Sequence, residues 1–408
     1  MSIATGIAKK VVYKKQSALG TIAATSGAQY LRRTSSNLDL KKATYQSTEL
    51  RDDMQRADMR HGVRSVDGTI SGELSPGSYT DFFGSVLRQA WQSPATTGAI
   101  ITVAAAVTTG ASGTFTRSAG SYLTDGFKIG DVVRWTGWAT TGVPNNAHNF
   151  LITSLTALIM TGVMLDGVAI GAKVAGDSVT CTVKGKKNFV PATGHLREYY
   201  TIEHAYSDIT QSEVFTDCPI TQANIKMPAS GMNTVDFSIM GLNMVPGTAA
   251  YFTTPTAAAG TGVTASANGA IYAQGVAVGL ITGLDFTING NFSTPGGVVG
   301  SDVDPDIFQG AVDVTGNMTV YFQDAVFRNY FVNETEVSLV AVFTTANTPT
   351  ADFVGFTMSR VKAGGASKDD GEKGIVVTMP FTALLNTAGG AGTANEMTTI
   401  SIQDSTLV

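Results

Sequence analysis

The feature of this sequence that most constrains its fold is a unit that occurs twice. Residues 66–83 (VDGTISGELSPGSYTDFF) align without a gap with residues 314–331 (VTGNMTVYFQDAVFRNYF), with identities at Val66, Gly68 and Phe83. Two further blocks follow in the same order: residues 38–40 match 284–286, and residues 220–226 match 356–362. The alternative is that two unrelated β-domains share common strand and turn patterns. Three blocks in one order favour a duplication, which predicts a symmetric assembly.

The composition favours β-structure that covers much of its surface with copies of itself. Of the 408 residues, 14% are charged and 45 are Gly, whereas soluble domains usually contain about 25% charged residues. The length predicts about two or three domains. Cys181 and Cys218 lack the spacing of a disulfide framework or a zinc site, so we expect two buried or half-buried thiols. No apolar run reaches the roughly 18 residues of a membrane span, and no signal peptide is recognisable, so we expect neither secretory export nor a membrane partner.

The net charge of −5 conceals an asymmetry along the chain. Residues 1–42 contain eight Lys and Arg and one Asp, a balance of +7, so the remainder carries −12. A basic N-terminal arm that docks on the acidic body of the next copy explains this distribution. A nucleic-acid-binding arm and a solvated, disordered terminus are the alternatives. The candidate contact residues of the arm are Lys9, Lys10, Lys14 and Lys15.

A long charged loop and a short helix follow the arm. The stretch 47–62 is poor in apolar residues, and its charges predict either contacts between copies or a solvated loop: Arg51, Asp52, Asp53, Arg56, Asp58 and Arg60. Ser78 is the predicted N-cap of a helix over Tyr79–Gln92 with one buried face. The second copy predicts a shorter helix after Asp324, with inward side chains from Phe327, Tyr330 and Phe331.

About a hundred residues separate the helix of the first copy from its next strand. This segment, 95–192, has short strands of its own and contains GFKIGDVVRWTGW (126–138), a turn and strand typical of small β-barrels. We interpret it as a domain inserted at a loop, with Lys184, Lys186 and Lys187 in a solvated turn. The predicted organisation is an arm (1–35), a first β-domain (36–94 and 193–246), the insert (95–192), a linker (247–270) and a second β-domain (271–408).

The sequence contains no recognisable constellation of catalytic residues. His61, His148, His195 and His204 have no metal-ligand spacing. Neither a nucleophile elbow nor a phosphate-binding loop occurs. Asp302, Asp304 and Asp306 resemble a calcium loop only loosely, because Ile307 replaces the turn glycine. The sequence therefore predicts no enzyme activity, no metal and no cofactor.

The order of these elements resembles the tail tube (major tail) proteins of long-tailed bacteriophages. The resemblance covers an arm, a strand, a long charged loop, a strand, the GSYTDFF helix, and strands that contain ITQANIK and VDFSIMG. It implies a β-sandwich with one flanking helix, whose sheets join between neighbours into an inner barrel with six domains per ring. The resemblance also implies that rings stack through the long loop and the terminal arms into a conduit for DNA. The fold class predicted is therefore mainly β: two tandem sandwich or barrel domains, each with one short helix, plus a small inserted β-domain.

Family members usually carry one tube domain per chain, whereas this chain carries two candidates. Three chains would then close a ring with pseudo-sixfold symmetry. The expected partners are further copies, the tape measure, tail terminator and distal tail proteins, and double-stranded DNA that passes without specific binding. The expected location is the virion tail, after assembly in the cytoplasm of the host bacterium. Glu73 and Asp236 are candidate lumen-facing acids, because they fall in predicted strands and negative charge repels phosphate.

Two other classes of protein remain open at this point. One is another virion β-protein, such as an adhesin or decoration protein, with the insert as a binding module. The other is a carbohydrate-active β-enzyme with an unidentified pair of acids.

Overall fold

The computed structural model describes residues 3–97, 101–139, 144–323, 326–369 and 374–408. The described residues form 27 strands and two short α-helices. This composition of elements confirms the prediction of a mainly β fold. Within these ranges, neither helix is long and apolar enough to span a bilayer.

The elements of the chain up to residue 190 fall into two groups. The first group ends with a helix and comprises β1 (Lys9–Lys15), β2 (Ser26–Tyr30), β3 (Ser35–Ser36), β4 (Asp39–Gln46), β5 (Met59–Glu73) and α1 (Thr80–Leu87). The second group comprises β6 (Ile101–Thr109), β7 (Ser112–Arg117), β8 (Val132–Thr136), β9 (Phe150–Leu155), β10 (Ile159–Met164), β11 (Lys173–Val183) and β12 (Lys186–Phe189).

The rest of the chain is also almost entirely strand. Its first part comprises β13 (Tyr200–Tyr206), β14 (Gln211–Cys218), β15 (Ile220–Pro228), β16 (Thr234–Gly241), β17 (Asn243–Gly247) and β18 (Thr254–Thr256). Its second part comprises β19 (Gly269–Ala273), β20 (Val276–Ala277), β21 (Ile281–Asn289), β22 (Asp313–Tyr321), α2 (Val326–Val332), β23 (Val337–Thr344), β24 (Phe353–Ala363), β25 (Ser367–Lys368), β26 (Val376–Ala383) and β27 (Ser401–Asp404).

Strands β6 to β11 form a closed barrel in the order β10-β7-β6-β11-β8-β9. Its interior is filled by aromatic side chains; the rings of Phe115 and Trp135 have centroids 4.7 Å apart, and those of Phe115 and Phe150 are 4.9 Å apart. The chain enters and leaves the barrel side by side, because the Val183 amide donates to the carbonyl of Ala95 at 2.9 Å. The barrel packs on the rest of the protein through buried apolar residues, among them Val132 and Val342.

A long antiparallel sheet organises the remaining core in the order β20-β19-β23-β24-β26-β22-β21-β15-β16-β5, with β4 beside β5. One face of this sheet carries alternating apolar residues that are buried with helix α1, such as Ile70, Phe237 and Phe286. Alternation with period two explains this burial, since every second side chain of a strand points to the same face.

A six-stranded sheet in the order β17-β14-β13-β1-β2-β18 covers the same core from another side. Strand β1 lies inside it and pairs with both β13 and β2. The residues expected to form an extended arm therefore include a strand of this sheet. Val11 and Tyr13 provide the physical reason, because they alternate in β1 and are buried in the main core.

The same order of strands around one helix occurs twice in the chain, although β13 and β14 belong to the six-stranded sheet and their counterparts β23 and β24 belong to the long sheet. We call β4, β5, α1 and β13–β16 the first unit, and β21, β22, α2, β23–β26 the second unit. In the first unit, Glu73 of β5 pairs with Thr234 of β16. In the second unit, Tyr321 of β22 pairs with Val376 of β26. Tyr321 lies 248 positions after Glu73, and Val376 lies 142 positions after Thr234. The β4–β5 and β21–β22 pairs also correspond, since Leu40 pairs with Val66 as Ile288 pairs with Val314. Strand pairing thus agrees with the match of 66–83 to 314–331. It corrects the other two blocks, because Asp39 corresponds to Thr287 rather than Asp285, and Asn224 corresponds to Ser367 rather than Arg360.

Both helices differ from the sequence-based prediction. Helix α1 covers Thr80–Leu87 rather than Tyr79–Gln92, because Arg88 adopts a left-handed conformation (φ 60°) that ends it. Tyr79 occupies the N-cap position, while the Ser78 hydroxyl accepts a hydrogen bond from Ser75. Asp324, the predicted cap of the second helix, lies outside the described residues. Phe331 of α2 is 42% exposed and does not face inward as predicted.

The turn predicted to be solvated around Lys187 is instead a buried connection. Lys187 lies in β12, and its ammonium contacts Asp131 of the barrel at 3.0 Å and Glu396 near the C-terminus at 3.1 Å. Burial alone lowers the pKa of Lys187, but the two carboxylates outweigh this effect and raise the pKa above its ordinary value. The ammonium is therefore charged and joins the barrel to the C-terminal segment.

Candidate functional site

The face of the long sheet that points away from the core is polar along both units. On β4, β5, β16, β15, β21, β22 and β26, the positions between the buried ones are partly or fully exposed. Most of them have short polar side chains: Thr69, Ser71, Gln222, Asn224, Thr234, Ser238, Thr287, Asn289, Thr315, Asn317, Thr319, Thr378 and Thr382. We call this surface the polar sheet face.

The polar sheet face is also acidic. Its acidic residues in these strands are Asp39, Asp67, Glu73, Asp236, Asp285 and Asp313, and its basic residues are Lys41 and Lys226. Six carboxylates and two ammonium groups give the face a formal charge of −4 per chain. The predicted residues Glu73 and Asp236 thus lie on one face of adjacent strands, β5 and β16. Sequence reasoning missed the other four acids, although strand alternation relative to the buried residues indicates their orientation.

Some of these charges are paired within the chain. Lys226 contacts Asp236 at 2.9 Å, and Lys41 contacts Asp67 at 2.7 Å. Burial alone raises the pKa of Asp236, but hydrogen bonds from Ser71 and Lys226 outweigh it and lower the pKa below its ordinary value. Asp236 is therefore ionised near neutral pH, and the surface keeps its negative charge.

The polar sheet face ends at two strand edges without partners among the described residues. Strand β4 pairs only with β5, and β25 pairs only with β26. Between them, the two units meet inside the chain through β15 and β21, where Asn224 pairs with Thr287. Open edges of this kind are templates for pairing with another chain.

The loop with the predicted stacking residues extends beyond the core at the end of β4 and β5. Several of its charges pair with each other: Arg51 contacts Asp53 at 2.8 Å and Arg60 contacts Asp58 at 3.0 Å. The Arg56 guanidinium donates to the Ser47 carbonyl, and Asp52 is exposed. The same loop exposes Leu50 and Met54 almost completely, so apolar as well as charged side chains are available for contacts.

The four predicted lysines of the N-terminal segment lie on β1 and all contact their own chain. Lys9 donates to the Ser36 carbonyl at 2.8 Å, Lys14 donates to the Ser26 carbonyl at 2.5 Å, and Lys15 forms an ion pair with Glu198. Lys10 lies over the ring of Tyr30 at 5.5 Å. Burial, with a smaller contribution from Arg33, lowers the pKa of Lys9. The structure does not bring these lysines to the exposed loop of the same chain.

The described residues include no group of three or more His, Cys, Asp or Glu that could hold a metal ion. Both cysteines are free and buried. Burial raises the pKa of Cys218 above its ordinary value, and burial also raises that of Cys181. Neither thiol is thereby activated as a nucleophile.

The comparisons with known proteins agree with this geometry. The family described as phage tail tube protein matches residues 6–383, which is nearly the whole chain. No curated protein sequence matches the chain. The match spans both units, the barrel between them and the polar sheet face. The chain therefore belongs to the phage tail tube protein family.

Proposed function

We propose that this structural protein closes into rings of three chains with pseudo-sixfold symmetry, and that stacked rings form the tail tube. The observation that carries the proposal is the continuous sheet in which the two units have equivalent registers and join through β15 and β21. A chain with two units supplies two sixths of a ring, so three chains supply six units.

The two units of one chain meet where β15 pairs with β21, and we call this pairing the internal joint. It specifies which residues of neighbouring chains lie opposite each other. In the second unit, Ser367 pairs with Thr378. In the first unit, Asn224 pairs with Asp236, which lies 142 positions before Thr378 and is its equivalent. Ser367 therefore occupies the place of Asn224, whose partner across the joint is Thr287. Asp39 lies 248 positions before Thr287, so Ser367 of one chain lies opposite Asp39 of the next. Pairing at this position removes both open edges of the polar sheet face.

The polar sheet face lines the channel in this arrangement. With −4 per chain, a ring of three chains would carry about −12 on its inner surface, and like charge repels the phosphates of double-stranded DNA. Most side chains of the face are short hydroxyls and amides, and the exposed rings of Tyr45 and Tyr321 lie at strand ends, so these strands offer no continuous aromatic platform on which bases could stack. DNA then passes through the lumen during delivery to the host cell without specific binding, and the protein needs no catalytic site or cofactor.

Rings stack head to tail through the loop between β4 and β5. Its exposed charges and its apolar residues Leu50 and Met54 meet the next ring, while the lysines of β1 contribute the basic side of this contact. Tape measure, tail terminator and distal tail proteins are the further partners, and tubes assemble in the cytoplasm of the host bacterium. The domains are those predicted from the sequence, except that residues 1–35 contribute β1 and β2 to the six-stranded sheet, and the barrel lies outside the tube.

Electron cryomicroscopy of the purified, polymerised protein tests the proposal. The expected image is a hollow tube with three chains and three barrels in each ring. Six chains in a ring would refute the trimer, and discrete trimers that never polymerise would instead support an adhesin or decoration protein.

A further inference from the structure

The apolar face of helix α1 is buried inside the chain. Its residues Phe82, Phe83, Val86 and Leu87 are all at most 3% exposed. Part of the cover comes from the second unit: the ring of Phe356 lies 6.1 Å from that of Phe83. At the end of α1, the Arg88 guanidinium donates to the carbonyls of Gly290 and Gly310. Gly290 directly follows β21 of the second unit, and Gly310 precedes β22.

Helix α2 occupies the corresponding place in the second unit and lacks this cover. None of its residues is buried; Phe331 is 42% exposed and Val332 is 62% exposed. Beside the helix runs a groove of about 320 Å³ whose lining includes Val276, Leu280 and Tyr321. These three side chains are themselves 42 to 69% exposed. Val326, Phe327 and Tyr330 of the helix also line this groove, and we call the groove together with the exposed Phe331 and Val332 the α2 patch.

Exposed apolar side chains grouped beside a groove are typical of a site of protein contact. Because both helices follow corresponding strands, the covered helix shows what the uncovered one lacks. Within the chain, the second unit joins the first at β15 and supplies part of the cover of α1, whereas the corresponding strand β25 pairs only with β26 among the described residues.

We propose that the α2 patch is covered by the first unit of a second copy of this chain in the same ring. This inference rests on the proposed ring and adds a second, side-chain contact to the strand pairing at its joint. Strand β4 of the incoming chain has the required chemistry. Its core-side residue Leu40 is only partly buried in its own chain and corresponds to Ile288, which extends the buried core beside α1 within the chain.

The substitution Val332→Asp tests the contact, and Val174→Asp is the matched control. Val332 and Val174 are both exposed, but Val174 lies on the barrel far along the chain from the patch. We expect Val332→Asp to raise the protein concentration needed for polymerisation by about tenfold or more, since burial of one apolar side chain contributes roughly that factor. Val174→Asp should polymerise like the unmodified protein, and both variants should melt at the temperature of the unmodified monomer.

A photo-crosslinking residue at position 331 identifies the occupant directly and does not depend on the folding of the aspartate variant. We expect crosslinked peptides between position 331 and residues 36–94 or 193–246 of another chain. Crosslinks to the barrel or to the second unit, or normal polymerisation of Val332→Asp, would overturn this inference while tubes of three-chain rings still stand. Unmodified protein that forms no rings would instead overturn the proposed function.

Discussion

A disulfide across the proposed joint would count the chains in a ring. The double variant Asp39→Cys, Ser367→Cys places one thiol on each open edge of the polar sheet face, at positions predicted from the internal β15–β21 joint. Opposed residues in antiparallel strands have Cα atoms about 4.5–5.5 Å apart, and a disulfide needs roughly 4.4–6.8 Å. The native thiols of Cys181 and Cys218 are both completely buried and should not interfere.

The assay is oxidation of assembled tubes followed by denaturing electrophoresis without reductant. One chain has a mass of 42.5 kDa, so the ladder should end at a covalent ring of three chains, at about three times that mass. In the control, Lys41→Cys replaces Asp39→Cys; it lies on the same face but two residues away, about 7 Å along the strand, and should remain uncrosslinked. A ladder that continues to six chains, or equal crosslinking of the control, would refute the reasoning from the internal joint.

Three further perturbations follow from the side-chain environments. Lys187→Met leaves a carboxylate buried without its partner and should lower the free energy of unfolding of the barrel by about 3–5 kcal/mol. The control Lys41→Met removes an exposed ion pair and should lower it by less than about 1 kcal/mol. Urea titration followed by tryptophan fluorescence measures both changes. Burial lowers the pKa of His204, so the unfolded state binds more protons and stability should fall as the pH drops below about 6.5. His204→Gln should reduce that loss, and an unchanged pH profile of the urea midpoint would contradict it. Replacement of Glu73 and Asp236 by Lys should slow DNA ejection from otherwise normal tails, measured by dye release, and an unchanged rate would count against a channel lined by these acids.

Strand alternation made much of the fold predictable from the sequence. The strands around Val66 and Val314 are matched in the repeat because their buried residues must face the same core in both units. The exact alignment of residues between the two units could not be predicted from the sequence. The sequence pattern matches Asp39 to Asp285, whereas strand pairing makes Asp39 equivalent to Thr287. A shift of two residues keeps every side chain on the same face, so the hydrophobic pattern cannot distinguish the two alignments.

Contacts between distant segments explain what the sequence did not predict. Lys187 lies in a run of lysines that resembles a solvated turn, but Asp131 and Glu396 compensate its burial from positions far away in the chain. Tyr13 similarly makes β1 part of the core, where its hydroxyl donates to Asp81 at 3.0 Å. The end of α1 depends on the left-handed conformation of Arg88, whose guanidinium is held by two distant carbonyls. Local patterns contain no information on such partners.

The hydrogen bond between Val183 and Ala95 has a consequence for the history of this protein. Because the chain leaves for the barrel and returns at one point, a single recombination event can add or remove the barrel without shifting the pairing of any strand in the long sheet. The barrel can therefore change or be lost while the strand pairing of the long sheet stays the same.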